Sequence, residues 1–306
     1  MQFCLINNPR SGHGRAQTVT EGLIHAAEQR GHRAVSFSVD TPLSILEPEV
    51  AQSDRVVIVG GDGSVHHCLG LLARSQTPMY HCGTGTANLI MREFGMSRSP
   101  ARVLADLEQD HPPMMVDLPS CNGMPFLIMV SIGVDASVIH RFEERRTSGG
   151  YRAYTVPLLR ELIHPRTACW TLCRLEHPEE SPISGHGALI IANMRSYAGG
   201  FNPCPEARVD DSKLDAGWIG ATTSIGFGLG LLARRLHIAS RPGVIGSRFD
   251  IEVDQPDGAC IQIDGEKPMH LPDTQGGMLA PGEKLLFSIG QIKVPIHTPP
   301  GSAELI

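Results

Sequence analysis

The sequence contains no stretch of roughly 20 uninterrupted apolar residues, so nothing in it is long enough to cross a bilayer as a helix. Its opening, MQFCLINNPRSG, turns polar within seven residues, too early for the apolar core of a signal peptide. An excess of positive charge is missing too: the formal net charge is -6, which gives no electrostatic reason to expect a nucleic-acid partner. The eight cysteines (Cys4, Cys68, Cys82, Cys121, Cys169, Cys173, Cys204 and Cys260) form no CxxC pair and no zinc-like Cys/His spacing. Such scatter fits reduced thiols and a cytoplasmic location. Internal repeats and low-complexity linkers are also lacking. What remains is 306 residues, 41% hydrophobic and 19% charged, enough chain for two compact units of ordinary globular composition.

The first 110 or so residues alternate short apolar strands with helices, the pattern of a mostly parallel sheet. Strands are expected at Phe3 to Asn7, Val35 to Val39 and Arg55 to Val59. Helices are expected at Ala16 to Arg30, Val65 to Arg74, Asn88 to Phe94 and Pro100 to Asp110. Pro112 and Pro113 close this half. Beyond Met114, apolar segments are separated by Gly, Pro and Asn, as in Phe126 to Ile132, Ala168 to Leu175, Ala188 to Ala192, Phe249 to Val253, Cys260 to Asp264 and Leu285 to Val294. This half predicts a β-sandwich or curved antiparallel sheet, with helices at Tyr151 to Ile163 and Ile225 to Ile238. The domains predicted are therefore 1–113, α/β and Rossmann-like, and 114–306, β-rich, the final segment being free to return to the first.

Val56 to Val59 run straight into Gly60-Gly61-Asp62-Gly63-Ser64, a glycine-rich turn with one carboxylate at the end of a buried strand. Ligands of open α/β sheets bind at such strand ends, and glycines let backbone N–H groups approach a phosphate chain at a helix N-terminus. Taken alone, such a turn is more often an ordinary connection with Asp62 and Ser64 as caps. Two more loops of this kind follow strands: Asn7-Asn8-Pro9-Arg10-Ser11-Gly12-His13-Gly14-Arg15, and Gly83-Thr84-Gly85-Thr86-Ala87-Asn88. Thr41 lies just after the second strand. None of the three fits a Walker A loop or a GxGxxG dinucleotide motif.

The series NPRSGHGRA (8–16), VVIVGGDGSVHHCL (56–69), GTANLIMREFG (85–95), VSIGVDASV (130–138), PEARVDDSKLD (205–215) and IDGE (263–266) resembles, in order and over nearly the whole chain, the diacylglycerol kinase catalytic-domain family. This family includes sphingosine and ceramide kinases and bacterial lipid kinases. The resemblance implies a nucleotide-binding α/β domain of the NAD-kinase and diacylglycerol-kinase type, a C-terminal β-sandwich, and catalysis in the cleft between them. It implies ATP and Mg²⁺ as cofactors, bound through Asn8, Ser11, Gly12, Thr41, Gly60, Gly61, Asp62, Gly63, Ser64, Thr86 and Asn88. Asp62, a loop carboxylate, would matter for catalysis and little for the fold. Departures stand at His66-His67, where many members have Asn-Glu, and at Leu89, where many have Asp.

In the second half the resemblance places Asp117 toward the metal and water network and Asp135 toward the lipid headgroup. From the residues alone, Asp117 is equally a turn cap and Asp135 equally a salt-bridge partner. Arg208 to Asp215 concentrates three carboxylates in a short loop. The resemblance implies a structural cation there, held by the Asp211 carboxylate and the carbonyls of Arg208 and Lys213, although Ser212 replaces the usual Gly. In Ile263-Asp264-Gly265-Glu266, the glycine separates two carboxylates that can project to one side of a strand, yet Asp-Gly is also the commonest tight hairpin turn. The resemblance makes the pair catalytic: Asp264 is the slightly preferred proton acceptor, with Glu266 as a metal-network residue or alternative base. Ser224 to Arg241, apolar with Arg234, Arg235 and Arg241, reads either as a core helix or as a membrane-surface segment.

The expected function is thus an ATP- and Mg²⁺-dependent lipid kinase acting on a diacylglycerol-like or sphingoid lipid. It would be cytoplasmic, peripheral at the membrane surface, and free to form a homo-oligomer. Two rivals stand beside it: an NAD kinase, which shares GGDG but needs an adenine and ribose motif not evident here, and a catalytically silent lipid- or nucleotide-binding protein, suggested by Leu89.

Overall fold

The computed structural model describes residues 1–144, 167–197, 202–220, 233, 243–255, 257–272, 274 and 276–301. The helices predicted at 151–163 and 225–238 and the segment 224–241 lie outside the described residues, apart from residue 233. Two compact units emerge: Met1–Leu118 with Gln291–Ile306, and Pro119–Gly290.

In chain order the first unit contains β1 (Gln2–Asn7), α1 (Arg15–Gln29), β2 (Arg33–Ser38), α2 (Leu43–Ala51), β3 (Arg55–Gly60), α3 (Asp62–Ser75), β4 (Met79–Gly83), α4 (Leu89–Glu93) and α5 (Pro100–Leu107), and β5 (Met114–Cys121) runs out of it. The strands pair in parallel in the order β2-β1-β3-β4. The central β3 is a continuous run of β-branched residues, Val56-Val57-Ile58-Val59, all fully buried as a strand covered on both faces must be. α1 buries Ala16, Thr20, Leu23 and Ala27, one helical stripe, and stops at Gly31, whose φ of +74° a side chain would resist. Two elements escape the sequence pattern: α2 carries Pro48 inside it, and β4, Met-Tyr-His-Cys-Gly, is short and half polar.

The second unit contains β6 (Met124–Pro125), β7 (Met129–Ile132), α6 (Val134–Glu144), β8 (Ala168–Arg174), β9 (Ile183–Ala192), β10 (Leu214–Ile219), β11 (Gly243–Gly246), β12 (Arg248–Val253), β13 (Ala259–Ile263) and β14 (Met278–Leu279), with β15 (Glu283–Ile296) as its exit. Pairing is antiparallel in the order β14-β13-β7-β9-β8-β12-β15, and β10 bridges β9 and β11. Alternate residues of these strands, among them Val130, Ile132, Trp170, Leu189, Ile191, Phe249, Ile251, Ile261, Ile263 and Phe287, pack into one apolar core. α6, unforeseen from sequence, is entered through Gly133, whose φ of +95° turns the chain from β7 into the helix. The end of β15 belongs to the first unit, where Ile296 pairs with Met79 of β4. The division between units therefore falls inside β5 and β15 rather than at Pro112-Pro113.

Candidate functional site

In the first unit, the loops after β1, β3 and β4 are stitched together by their own polar groups. Asn8 Nδ2 donates to Ser64 Oγ (3.1 Å), Thr84 Oγ1 donates to Ser11 Oγ (2.9 Å), and the Thr84 N–H donates to the Gly60 carbonyl (2.7 Å). Glycine is obligatory where these backbones meet: a Cβ on Gly12 would lie 2.4 Å from the Thr84 oxygen, and one on Gly85 would lie 2.7 Å from the Gly61 Cα. Asn8, Ser11, Gly12, Gly60 and Ser64 are thus brought together, and Asn88 joins by donating to the Gly85 carbonyl. Thr86 lies exposed at the loop tip, and Thr41 sits partly exposed after β2. Thr84, which the sequence reading passed over inside its own motif, is fully buried and central to the stitching.

Asp62 opens α3, which has no side-chain cap; of the first N–H groups, that of Ser64 donates to the Gly61 carbonyl at 3.0 Å. Its carboxylate reaches across instead and accepts the N–H groups of Leu89 (3.0 Å) and Ile90 (3.1 Å), holding the start of α4. The expectation that Asp62 contributes little to the fold is therefore corrected: it bridges two helices. Leu89 meets Asp62 through its amide, a contact that does not depend on the side chain.

Beneath the Gly60 turn, His81 is fully buried and its Nε2 donates to the Gly60 carbonyl at 3.1 Å. Burial pushes its pKa below the ordinary 6.5, against the opposing pull of the Asp62 charge and the bond to Gly60. His297, buried with its Nε2 on the Asp106 carbonyl, is lowered by burial as well. A lowered histidine is neutral when folded but binds a proton when unfolded, so stability must fall as pH drops below 6.5 and continue falling toward the folded-state pKa. Urea melts at pH 7, 6 and 5 should show this, and His81→Gln should flatten the slope by up to about 1.4 kcal/mol per pH unit. An unchanged slope would mean that His81 does not titrate on unfolding.

Asp117, placed by resemblance in a metal and water network, is fully buried in the middle of β5 and paired with Lys293 Nζ at 2.7 Å. An ammonium group of the chain itself meets this carboxylate, so its charge is balanced from within the chain. The partner lies too far along the chain for any local pattern to reveal it.

In the second unit, Ile263-Asp264-Gly265-Glu266 is a two-residue hairpin turn. Ile263 and Glu266 exchange both backbone hydrogen bonds, and Asp264 and Gly265 have φ of +51° and +81°. The two carboxylates differ in burial. Asp264 is 4% exposed, and its oxygens accept three backbone N–H groups, from Leu127 (2.8 Å), Ile128 (2.7 Å) and Met129 (3.0 Å). Asn193 serves the same segment by donating to the Leu127 carbonyl. The preference for Asp264 as proton acceptor is corrected on this geometry, because a carboxylate holding three amides is committed to structure. Glu266 stays at the partly exposed end of the turn. Asp135, expected at a lipid headgroup, instead accepts hydrogen bonds from Tyr197 and Ser131, both at 2.5 Å.

In the loop 208–215, Arg208 pairs with Asp210 (3.2 Å) and Asp211 accepts the Lys213 N–H (3.0 Å). Ser212 has a φ of +58°, the conformation that favours the missing glycine. Burial, followed by the charges of Asp211 and Glu206, pushes the Asp215 carboxyl up to about 6. Among the described residues the only three metal-type side chains that converge are the exposed His177, Glu179 and Glu180, and there Glu180 is engaged by Arg174. A cation at 208–215 would consequently rely on main-chain carbonyls. No described helix is long and apolar enough to cross a membrane.

The diacylglycerol kinase catalytic domain model matches residues 2–117. A diacylglycerol kinase of Mycobacterium tuberculosis (strain CDC 1551 / Oshkosh) is 31% identical over 219 residues, covering 69% of this chain and 70% of the relative. A protein named as a YegS-like lipid kinase in Pseudomonas aeruginosa (strain UCBPP-PA14) is 30% identical over 98% of this chain and 95% of its own length. Crystal structures described as a diacylglycerol kinase from Bacillus anthracis strain Sterne superpose with TM-scores of 0.70 and 0.65 at 17% identity, covering 98% of both chains, and so share the fold. With the stitched glycine loops in one unit and the Asp-Gly turn in the other, these likenesses establish that the chain belongs to the diacylglycerol kinase catalytic-domain family.

Proposed function

We propose that this chain transfers the γ-phosphoryl group of MgATP to a hydroxyl of a diacylglycerol-like or sphingoid lipid, working from the cytoplasm at the membrane surface. The observation that supports the reading most is the joining of three glycine-rich strand-end loops around a helix with no side-chain cap. The N-terminus of α3, with Ser11 drawn into the same cluster through Thr84, suits a phosphate chain. Asp62 hands its charge to α4, which limits its repulsion of that anion. MgATP, when bound, supplies the phosphoryl group and the counter-charge. The protein's own task is to hold the phosphates on those amides, orient the lipid hydroxyl and take its proton. Glu266 is the residue we assign to the proton, since Asp264 is committed to amides.

Pure protein should be incubated with labelled ATP, Mg²⁺ and a total lipid extract, and the product identified by mass spectrometry. A labelled lipid phosphomonoester is expected. Phosphorylation of NAD alone would sink the reading in favour of the NAD kinase, and binding of ATP and lipid without turnover would favour a silent binder.

We also assign a structural cation to the loop 208–215, held by Asp211 and the carbonyls of Arg208 and Lys213. The raised Asp215 carboxyl weakens the folded state above about pH 6, where it must ionise, and this penalty fades toward 3.8. A nearby cation would relieve it. Mg²⁺ or Ca²⁺ should thus raise the melting temperature more at pH 8 than at pH 5, and Asp211→Ala should abolish the gain. No gain at either pH would reduce the loop to an acidic turn.

A further inference from the structure

Gln262 sits in β13 directly opposite Ser131 of β7. Its neighbours Ile261 and Ile263 enter the core, so its side chain leaves by the other face, where it is 2% exposed. A buried primary amide has one acceptor end and one donor end, and only one orientation satisfies both. Here Oε1 accepts the Gly265 N–H at 2.7 Å, while Nε2 donates to Ser131 Oγ at 2.8 Å and, at 3.3 Å, to Asp135 Oδ2. Ser131 donates to that same oxygen, and the Tyr197 hydroxyl donates to Asp135 Oδ1. Asp135 stands in the first turn of α6, where the helix dipole favours a carboxylate. Burial and the Asp135 charge hold the Tyr197 pKa well above 10, so the phenol remains a donor.

A carboxylate offers only acceptors. With Asp135 at the Nε2 end, the amide cannot reverse, since reversal would set Oε1 against the Asp135 carboxylate and an NH₂ group against the Gly265 N–H. The turn itself needs this tether: Asp264 and Gly265 both have positive φ, Asp264 is pinned on one side by residues 127–129, and Gln262 pins Gly265 on the other. We propose that Asp135, held by Tyr197 and Ser131, locks the orientation of Gln262 and so fixes the Gly265-Glu266 end of the turn, making Asp135, Gln262 and Tyr197 positioning residues for Glu266. This rests on the assignment of Glu266 as proton acceptor.

The test is a double-mutant cycle on lipid phosphorylation, with thermal melts to confirm folding. Gln262→Met is expected to lower kcat about 10- to 100-fold while both KM values stay within about threefold. In a Glu266→Gln background the same substitution should change kcat by less than about threefold, because its effect passes through a group no longer present. Tyr197→Phe keeps the ring and removes only the donor, so it serves if Gln262→Met does not fold; a smaller loss of kcat is expected, vanishing in the same background. Equal losses in both backgrounds would overturn the proposal. So would a folded Gln262→Met, or Tyr197→Phe in its stead, with unchanged kcat; if Glu266→Gln is then still impaired, the proton-acceptor assignment survives alone. Full turnover by Glu266→Gln itself would remove both.

Discussion

Asp264→Asn is expected to lose about 3–5 kcal/mol of stability and roughly 10 °C or more in melting temperature. Glu266→Gln should melt like the wild type yet lose about 10²- to 10⁴-fold in kcat. The contrast follows from burial and from what Asp264 holds, since Glu266 is partly exposed. Leu127 donates to one Asp264 oxygen, and Ile128 and Met129 to the other. An asparagine must turn its NH₂ toward one of these sets, leaving buried donors facing a donor. The backbone is not the source of the loss, since asparagine tolerates the positive φ of this position. Differential scanning calorimetry beside steady-state kinetics measures both effects. If Asp264→Asn melts normally and loses turnover on the scale given for Glu266→Gln, Asp264 is the proton acceptor and the amide-holding role fails.

Asp62→Ala should show both kinds of damage at once. Two hydrogen bonds to a charged acceptor are removed and the start of α4 is left with unsatisfied amides, a loss of about 3 kcal/mol. The Gly83–Asn88 loop is held to its neighbours also by Ser11 and the Gly60 carbonyl, so the unit should remain folded at room temperature. Turnover should then be absent under conditions where the melt shows a folded protein, and stabilisation by added MgATP should shrink. A mutant that melts like the wild type would show that the bridge to α4 has no energetic weight. Near-wild-type turnover in a folded mutant would remove Asp62 from the phosphate site.

The parts legible in the sequence were those whose causes are local. β3 announces itself through four consecutive β-branched residues, and the Gly60–Ser64 turn through its run of glycines, of which Gly61 lies against Gly85. Asp264 shows the limit: its oxygens are claimed by amides up to 137 residues away, and no spacing near Asp-Gly reveals them. The same holds for Lys293 on Asp117 and for Tyr197 on Asp135, where a carboxylate is visible in sequence but its partner is chosen by topology. α2 was hidden by Pro48, which reads as a helix breaker, and β4 by the buried polar His81. The Asp-Gly signal was true to its backbone meaning and silent about which carboxylate it would turn inward.

The return of the chain end to the first unit bears on how the protein is made. Residues 291–301 supply Ile296 to the β4 edge, the His297 N–H to the Met79 carbonyl and Lys293 to buried Asp117. Synthesis runs from the N-terminus, and units generally fold as their sequence emerges. Here the unit that begins first cannot finish first: until residue 297 clears the ribosome, β4 lacks its neighbour and Asp117 lacks its counter-charge. The intervening unit can close beforehand. A nascent chain cut short anywhere before residue 291 would therefore carry the glycine loops on a sheet that lacks Ile296, His297 and Lys293.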